Sequence, residues 1–274
     1  MHKITSIIIV KRISLNKILV PTDFSDYSKY ALENAAFIAK KSGAELVVLH
    51  IVRGFEKLNI DKKFKELKSY PFLKYQKVEF ITEQGSNISK VIDLVARKHK
   101  ASLIVMGSNG ANNTEEIILG STTENVIRKS NINVLTVKRE IITFELKHIL
   151  FPSDFSKEAY SIFEDVKEMA KTFKATIHLL RVNKKDKLAG KTTPKMDAFI
   201  EHFKLDEEGY NYKKAISTNP SPEFGILNYS VDNNIDMIAI GTHGKGVIKN
   251  FFKESTSQSL IRDAFKPILA IKFR

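Results

Sequence analysis

The chain has 274 residues, 43% hydrophobic and 27% charged, with no cysteine; this is enough for two domains of roughly 100–200 residues each, and it excludes a disordered chain, a disulfide framework and a thiolate site. No apolar run approaches the ~18 residues of a membrane span, and the run at 7–10 is shorter than the ~7–15 residues of a secretory signal core, so a cytoplasmic protein without a membrane partner is expected. The net charge of +13 comes from 44 basic and 31 acidic residues, and 36 of the basic ones are Lys scattered along the chain rather than gathered into the stripe of a nucleic-acid binder, so nucleic acid is not the expected partner.

Residues 1–14 form an N-terminal extension, whose pattern leaves open an added edge strand, a tail or an early start codon. Residues 17–21 are a short apolar run, read as a buried strand. Ala31, Leu32, Ala35, Ala36, Ile38 and Ala39 recur at helical spacing and predict a helix over 28–41, which Gly43 stops. A β-rich strand follows over 45–52, then a lysine-rich helix over 57–69 with Pro71 beyond its end. The remaining elements alternate: strand 75–82, helix 89–99, strand 102–106, helix 122–129, strand 133–137. The pattern then restarts with strand 147–151, helix 158–173, strand 175–182, helix 194–204, strand 210–217, helix 223–233, strand 236–240, helix 256–264 and strand 267–271.

The restart is a sequence repeat. Ile18-Leu19-Val20-Pro21-Thr22-Asp23-Phe24-Ser25 returns 131 residues later as Ile149-Leu150-Phe151-Pro152-Ser153-Asp154-Phe155-Ser156. Leu103-Ile104-Val105-Met106-Gly107-Ser108-Asn109-Gly110 returns as Met237-Ile238-Ala239-Ile240-Gly241-Thr242-His243-Gly244, now offset by 134. Ser121-Thr122-Thr123-Glu124-Asn125-Val126-Ile127-Arg128 returns at the same offset as Ser255-Thr256-Ser257-Gln258-Ser259-Leu260-Ile261-Arg262. Two domains are therefore expected, 15–140 and 145–274, joined by a short stretch without Gly or Pro that favours packing of one on the other. Apolar strands alternating with helices argue for a parallel sheet covered on both faces. Each domain reads as a five-stranded doubly wound α/β unit, which binds ligands at the carboxyl ends of its strands.

Gly107 and Gly110 follow an apolar strand, and after nine residues come Gly120 and Ser121. Glycines let a backbone approach a phosphate closely. Ser121, Thr122, Thr123 and Glu124 read as a capping box at a helix N-terminus, a natural anion site. Such a loop can wrap a di- or triphosphate; it can equally be a plain strand–loop–helix connection with glycines for turns.

Gly107-x-x-Gly110, nine residues and Gly120-Ser121 resemble the ATP-binding signature of the universal stress protein (UspA) family. The opening block Ile18–Ser25, the Val48-Leu49-His50-Ile51-Val52 strand, the 120–128 block and Asn133-Val134-Leu135-Thr136-Val137 are similar to other family segments. The resemblance covers nearly the whole chain, twice. It implies two tandem domains of adenine nucleotide α-hydrolase-like fold with sheet order 3-2-1-4-5, paired through their last strands, and leaves room for a homodimer. Residue by residue, Asp23 matches a nucleoside-contacting Asp, and Ile51 a position whose backbone meets adenine. Gly107 and Gly110 match phosphate-loop glycines, Gly120 and Ser121 the pair holding terminal phosphates, and Thr123 the hydroxyl after it. Pro21, Thr22 and Met106 flank these and complete the candidate site. Asp23 also reads equally well as a helix cap. Ser102 replaces an Asp common before the fourth strand, where a structural role is expected. Asn112-Asn113-Thr114-Glu115-Glu116 puts two carboxylates in a loop that is often more basic, which weakens triphosphate binding unless a divalent ion such as magnesium or the loop geometry offsets them.

In the second domain the counterparts are Asp154, Val182, Gly241, Gly244 and Ser255, but Glu254 stands where Gly120 stood. Two unit charges about 4 Å apart cost roughly 4 kcal/mol at an effective dielectric near 20, about a thousandfold in affinity. Glu254 is therefore read as a stand-in for phosphate that empties or weakens the second site, although Lys245, Lys249 and Lys253 could attract phosphate. Gly190-Lys191-Thr192 resembles the end of a Walker A loop, but its first glycine position holds Lys185 and no strand leads into it. His50 reads as packed or hydrogen-bonded, His243 as a loop residue. The expected function is a non-catalytic module of the stress response that binds ATP or ADP mainly in the first domain, acting on the second domain or on a protein partner the sequence does not name. The alternatives are a scaffold without nucleotide and a weak ATPase or self-phosphorylating protein, for which no nucleophile, base and metal-ligand set is recognisable.

Overall fold

The structure, a computed structural model, describes residues 15–54, 59–107, 121–138, 145–184, 193–242 and 266–273. In the first half the elements are β1 (Lys17–Thr22), α1 (Asp26–Ser42), β2 (Glu45–Val52), α2 (Ile60–Lys68), β3 (Val78–Gln84), α3 (Ile88–Lys98), β4 (Leu103–Gly107), α4 (Ser121–Lys129) and β5 (Asn133–Val137). The second half repeats them as β6 (His148–Pro152), α5 (Lys157–Phe173), β7 (Thr176–Asn183), α6 (Thr193–His202), β8 (Tyr212–Thr218), α7 (Pro222–Asp232), β9 (Met237–Gly241) and β10 (Ile268–Ile271). The helix expected over 256–264 and the inter-domain stretch at 139–144 lie outside the described residues.

Among the described residues, ten strands form one sheet in the order β3-β2-β1-β4-β5-β10-β9-β6-β7-β8. Each half has the 3-2-1-4-5 order with parallel neighbours. The halves meet at an antiparallel pair, with Thr136 opposite Ile268, Leu135 opposite Leu269 and Val134 opposite Ala270. Phe37 of α1 stacks on Phe173 of α5 at 5.7 Å across the same boundary. One buried cluster packs α1, α2, α5 and α6 against one face of the sheet, and a second packs α3, α4 and α7 against the other.

The strand expected over 75–82 begins three residues later. Pro71, which cannot continue a helix but suits the first position of one, opens a single 3₁₀ turn over Pro71–Leu73, so the chain reaches the sheet edge only at Val78. Gly43 ends α1 in the left-handed region at φ 76°, as its sequence position implies. Its counterpart Lys174 ends α5 in the same conformation at φ 54°, strained for a residue with a Cβ. Ser102 and Asp236 do equivalent work at the amino ends of the strands. The Ser102 hydroxyl donates to the Lys17 carbonyl at 3.0 Å, and Asp236 Oδ2 accepts the backbone amides of Lys147 and His148 at 2.8 Å each. The structural role expected of Ser102 is thus the one observed.

Gly107 has a packing reason to be glycine. A Cβ there would lie 2.8 Å from the Tyr27 carbonyl carbon and oxygen, so α1 crosses β4 backbone against backbone. At the amino end of the second half, His178 is fully buried, with its Nδ1 3.0 Å from the Tyr229 hydroxyl and its Nε2 3.1 Å from His148 Nδ1. Burial, then the neighbouring His148 and Lys213, lower its pKa to about 4.

Three outcomes are expected. In urea unfolding, Lys174→Gly stabilises the chain by about 1 kcal/mol and Gly43→Ala, where no atom lies within 4 Å of the added methyl, destabilises it by about as much. Gly107→Ala costs about 1–3 kcal/mol by the same measurement, because backbone rather than a flexible side chain must move. Between its ordinary pKa of 6.5 and about 4 the unfolded chain protonates His178 and the folded chain does not, so stability is lost as pH falls through that window; a pH series of unfolding curves shows a shallower loss for His178→Asn than for the unsubstituted chain.

Candidate functional site

The carboxyl ends of β1, β2 and β4 stand side by side, ending at Thr22, Val52 and Gly107. Pro21 is half-buried there, Thr22, Ile51 and Met106 are buried, and Asp23 is exposed just beyond β1. Of the expected phosphate-loop residues, Gly107 and the α4 residues Ser121 and Thr123 are described; Gly110 and Gly120 lie outside the described residues.

The turn after β1 is fixed by its own side chains. Thr22 Oγ1 accepts the Phe24 amide at 3.0 Å and lies 3.0 Å from Ser28 Oγ. Asp23 Oδ1 accepts the Ser25 amide at 3.0 Å and the Ser25 hydroxyl at 2.6 Å. Ser25 in turn is the N-cap of α1, accepting the Ser28 amide at 3.3 Å. Asp23 therefore stands two residues before the cap: it orients the cap rather than being it. Between them Phe24 is held at φ 63°, a conformation that costs an ordinary residue of order 1–3 kcal/mol and persists only where its surroundings impose it. Here the Phe24 ring packs on His50 at 4.5 Å and on Phe64 at 5.7 Å, while His50 Nδ1 lies 2.9 Å from the Thr22 carbonyl oxygen. His50 is packed and hydrogen-bonded, as expected. The strained turn after β1 was not read from the sequence; its trace is the repetition of Thr/Ser-Asp-Phe-Ser in both halves.

α4 opens at Ser121, which is exposed, and buries Thr123, Val126 and Ile127. The Thr123 hydroxyl donates to the Gly107 carbonyl at 2.9 Å, tying the first turn of α4 to the end of β4. Ser121 stands within the helix, and the residue before it lies outside the described residues, so the cap expected of Ser121 is not seen among them. Beside Ile51, the ends of β2 and β3 frame an open cleft of about 510 Å³ lined by Arg53, Gly54, Gln84, Gly85 and Ser86. Sequence reasoning passed over Arg53, an isolated cation without a motif. A larger groove of about 680 Å³ runs between α1 and the Pro71–Leu73 turn, and no expected site residue lines it.

The second half rebuilds the same turn. Ser153 Oγ accepts the Phe155 amide at 2.9 Å, Asp154 Oδ1 accepts the Ser156 amide at 3.0 Å, and Phe155 has φ 54°. Burial works to raise the Asp154 pKa, but hydrogen bonds from Ser156 and the Arg181 charge outweigh it and hold the carboxyl below its ordinary value. Val182 is packed tightly: a Cβ on Gly225 would come within 2.7 Å of it. Gly241 faces the Phe273 ring, 2.6 Å from where its Cβ would be. Gly244, Glu254 and Ser255 lie outside the described residues, as do His243 and Gly190-Lys191-Thr192.

The Universal stress protein family matches twice, at residues 14–138 and 145–272. A universal stress protein of Methanocaldococcus jannaschii is 33% identical over 156 residues, covering 45% of this chain and 95% of that protein. A second from the same organism is 35% identical over 141 residues, 45% of this chain and 82% of that protein. The crystal structure of a universal stress protein from Archaeoglobus fulgidus superposes with a TM-score of 0.72 at 26% identity, covering 94% of this chain and 98% of its own. The two matches, the shared 3-2-1-4-5 halves and a full-length structural counterpart lead to one conclusion: this chain belongs to the universal stress protein family, with two family domains in tandem.

Proposed function

We propose that the chain is a non-catalytic regulatory module of the stress response that binds an adenine nucleotide, ATP or ADP, mainly in its first half. The observation that carries this reading is the junction of β4 and α4. Thr123 ties the first turn of α4 to the Gly107 carbonyl, and the nine-residue helix presents the exposed Ser121 at its start. Free N–H groups at a helix start favour anions. One strand over, the exposed Asp23 carboxylate suits a ribose hydroxyl, and the backbone at Ile51 suits a base edge. Arg53, in the adjoining cleft, supplies a positive charge. Gly110 and Gly120 join the reading through their sequence spacing alone, as do Gly244 and Ser255 on the second half, where Glu254 weakens the site.

A second reading, a scaffold that binds no nucleotide, is favoured by one feature. Thr22, Asp23 and Thr123 already serve the local frame through hydrogen bonds of their own, which explains those residue types without a ligand.

Two measurements decide between them. Protein purified without added nucleotide and then denatured releases an adenine nucleotide on the first reading and none on the second. Calorimetric titration with ATP gives one site in the unsubstituted chain, none in Gly120→Glu and a second site in Glu254→Gly. No released nucleotide and no heat in any of the three leaves the scaffold.

A further inference from the structure

The second half reaches into the first at the far end of α4. Lys272, the residue after β10, is buried, and its ammonium donates to the carbonyl of Ile127 in the last turn of α4. That carbonyl is one of the last four of the helix, which have no partner inside it, and a cation is favoured there by the helix dipole. Lys272 is held in place along its backbone as well: its amide donates to Asn133 Oδ1 at 3.0 Å, and Asn133 Nδ2 donates to Asp165 Oδ2 of α5 at 2.9 Å. Burial lowers the Lys272 pKa, and the Asp93 charge on α3 opposes that shift.

The arrangement differs between the halves. The counterpart of Lys272 is Lys138, 134 residues earlier, but the counterpart of Asn133 is Pro267. Proline offers no side-chain amide, so position 267 cannot give Lys138 the bracket that Asn133 gives Lys272. The helix so held belongs to the half that keeps Gly120.

α4 depends on its ends. It has nine residues, below the ~12–15 at which an isolated helix becomes even marginally stable, and it buries only three side chains. Thr123 anchors its start to β4. Lys272 anchors its finish to the other half of the molecule.

We propose that Lys272 is a positioning residue for the nucleotide site of the first half: by holding the C-terminal turn of α4 from the second half, it sets where the N-terminal turn of α4 meets the phosphates. This rests on the nucleotide reading above. The docking of the two halves and nucleotide binding are then linked, and by reciprocity a bound nucleotide strengthens the grip of Lys272 on α4.

The test is Lys272→Met, which keeps the length and apolar stem and removes the charge, with Lys138→Met as the control on the opposite side of the seam. ATP titration is expected to show affinity in Lys272→Met lowered by about tenfold and in Lys138→Met unchanged within twofold. Hydrogen exchange in Lys272→Met is expected to speed up at the amides of the last turn of α4, with β1 and β2 unaffected. A purely structural lysine changes unfolding stability and leaves ATP affinity alone, and equal affinities in the unsubstituted chain and Lys272→Met overturn the proposal. A spectroscopic measurement needs no variant: the carbonyl ¹³C resonance of Ile127 in the unsubstituted chain is expected to move with the same midpoint as ATP binding, and a resonance that stays fixed at saturation overturns the linkage. Absence of ATP binding by the unsubstituted chain is a different result, which removes the nucleotide reading itself and this inference with it.

Discussion

Everything in the molecule hangs on three antiparallel residue pairs between β5 and β10. Every residue of both strands is buried. Left open, each would be a flat apolar edge with unpaired amides and carbonyls, the kind of strand that recruits other chains. Paired, they turn two five-stranded sheets into one of ten. Leu135 lies opposite Leu269, its own repeat, and the flanking pairs are images of one another. The pseudo-twofold axis of the duplication therefore passes through this one pair. The outer strands among the described residues, β3 and β8, present charged side chains such as Glu79, Lys213 and Lys214, a common means of discouraging further pairing.

The fold was largely legible because duplication prints the pattern twice. An apolar strand ending in Pro-Thr-Asp-Phe-Ser or Pro-Ser-Asp-Phe-Ser, met at two places in one chain, marks a strand end and helix start more firmly than either copy alone. Gly43 marked its helix end because a left-handed C-cap favours glycine. Boundaries failed where a local preference intervened, as at Pro71, whose 3₁₀ turn delays β3. At the candidate site, the residues named from the sequence have local duties that the sequence does not show. Asp23 was open between cap and ligand; the structure gives it the intermediate duty of orienting Ser25. The sequence leaves Gly107 open between a phosphate-loop glycine and a turn glycine, and the crossing of α1 over β4 supplies a third reason for it to be bare. Lys272 carried no signal, since its partner is a main-chain carbonyl in the other half, and no spacing in a sequence encodes that.

Comparison of the halves separates what the fold requires from what it tolerates. The left-handed turn after the first strand is kept, at Phe24 and Phe155, even though it strains a bulky residue. The tether at the amino ends is kept with different chemistry, a hydroxyl at Ser102 and a carboxylate at Asp236. By contrast, Asn133 and Pro267, Gly120 and Glu254, and His50 and Arg181 are exchanged outright. Asn133 and Pro267 stand at the seam, and His50 and Arg181 stand toward the carboxyl ends of β2 and β7, the side of an α/β sheet that meets ligands.

The seam also changes what dilution can do. Lys138 and Glu145, which flank the junction, are only seven residues apart in sequence, so the two halves face each other at the millimolar effective concentration of short linkers. Two separate copies of one domain would fall apart as the cell's supply of them dropped. Here the pairing is an internal equilibrium, the same at every abundance of the protein. A response built on the contact between the halves can therefore report the level of a ligand without also reporting how much of the protein has been made.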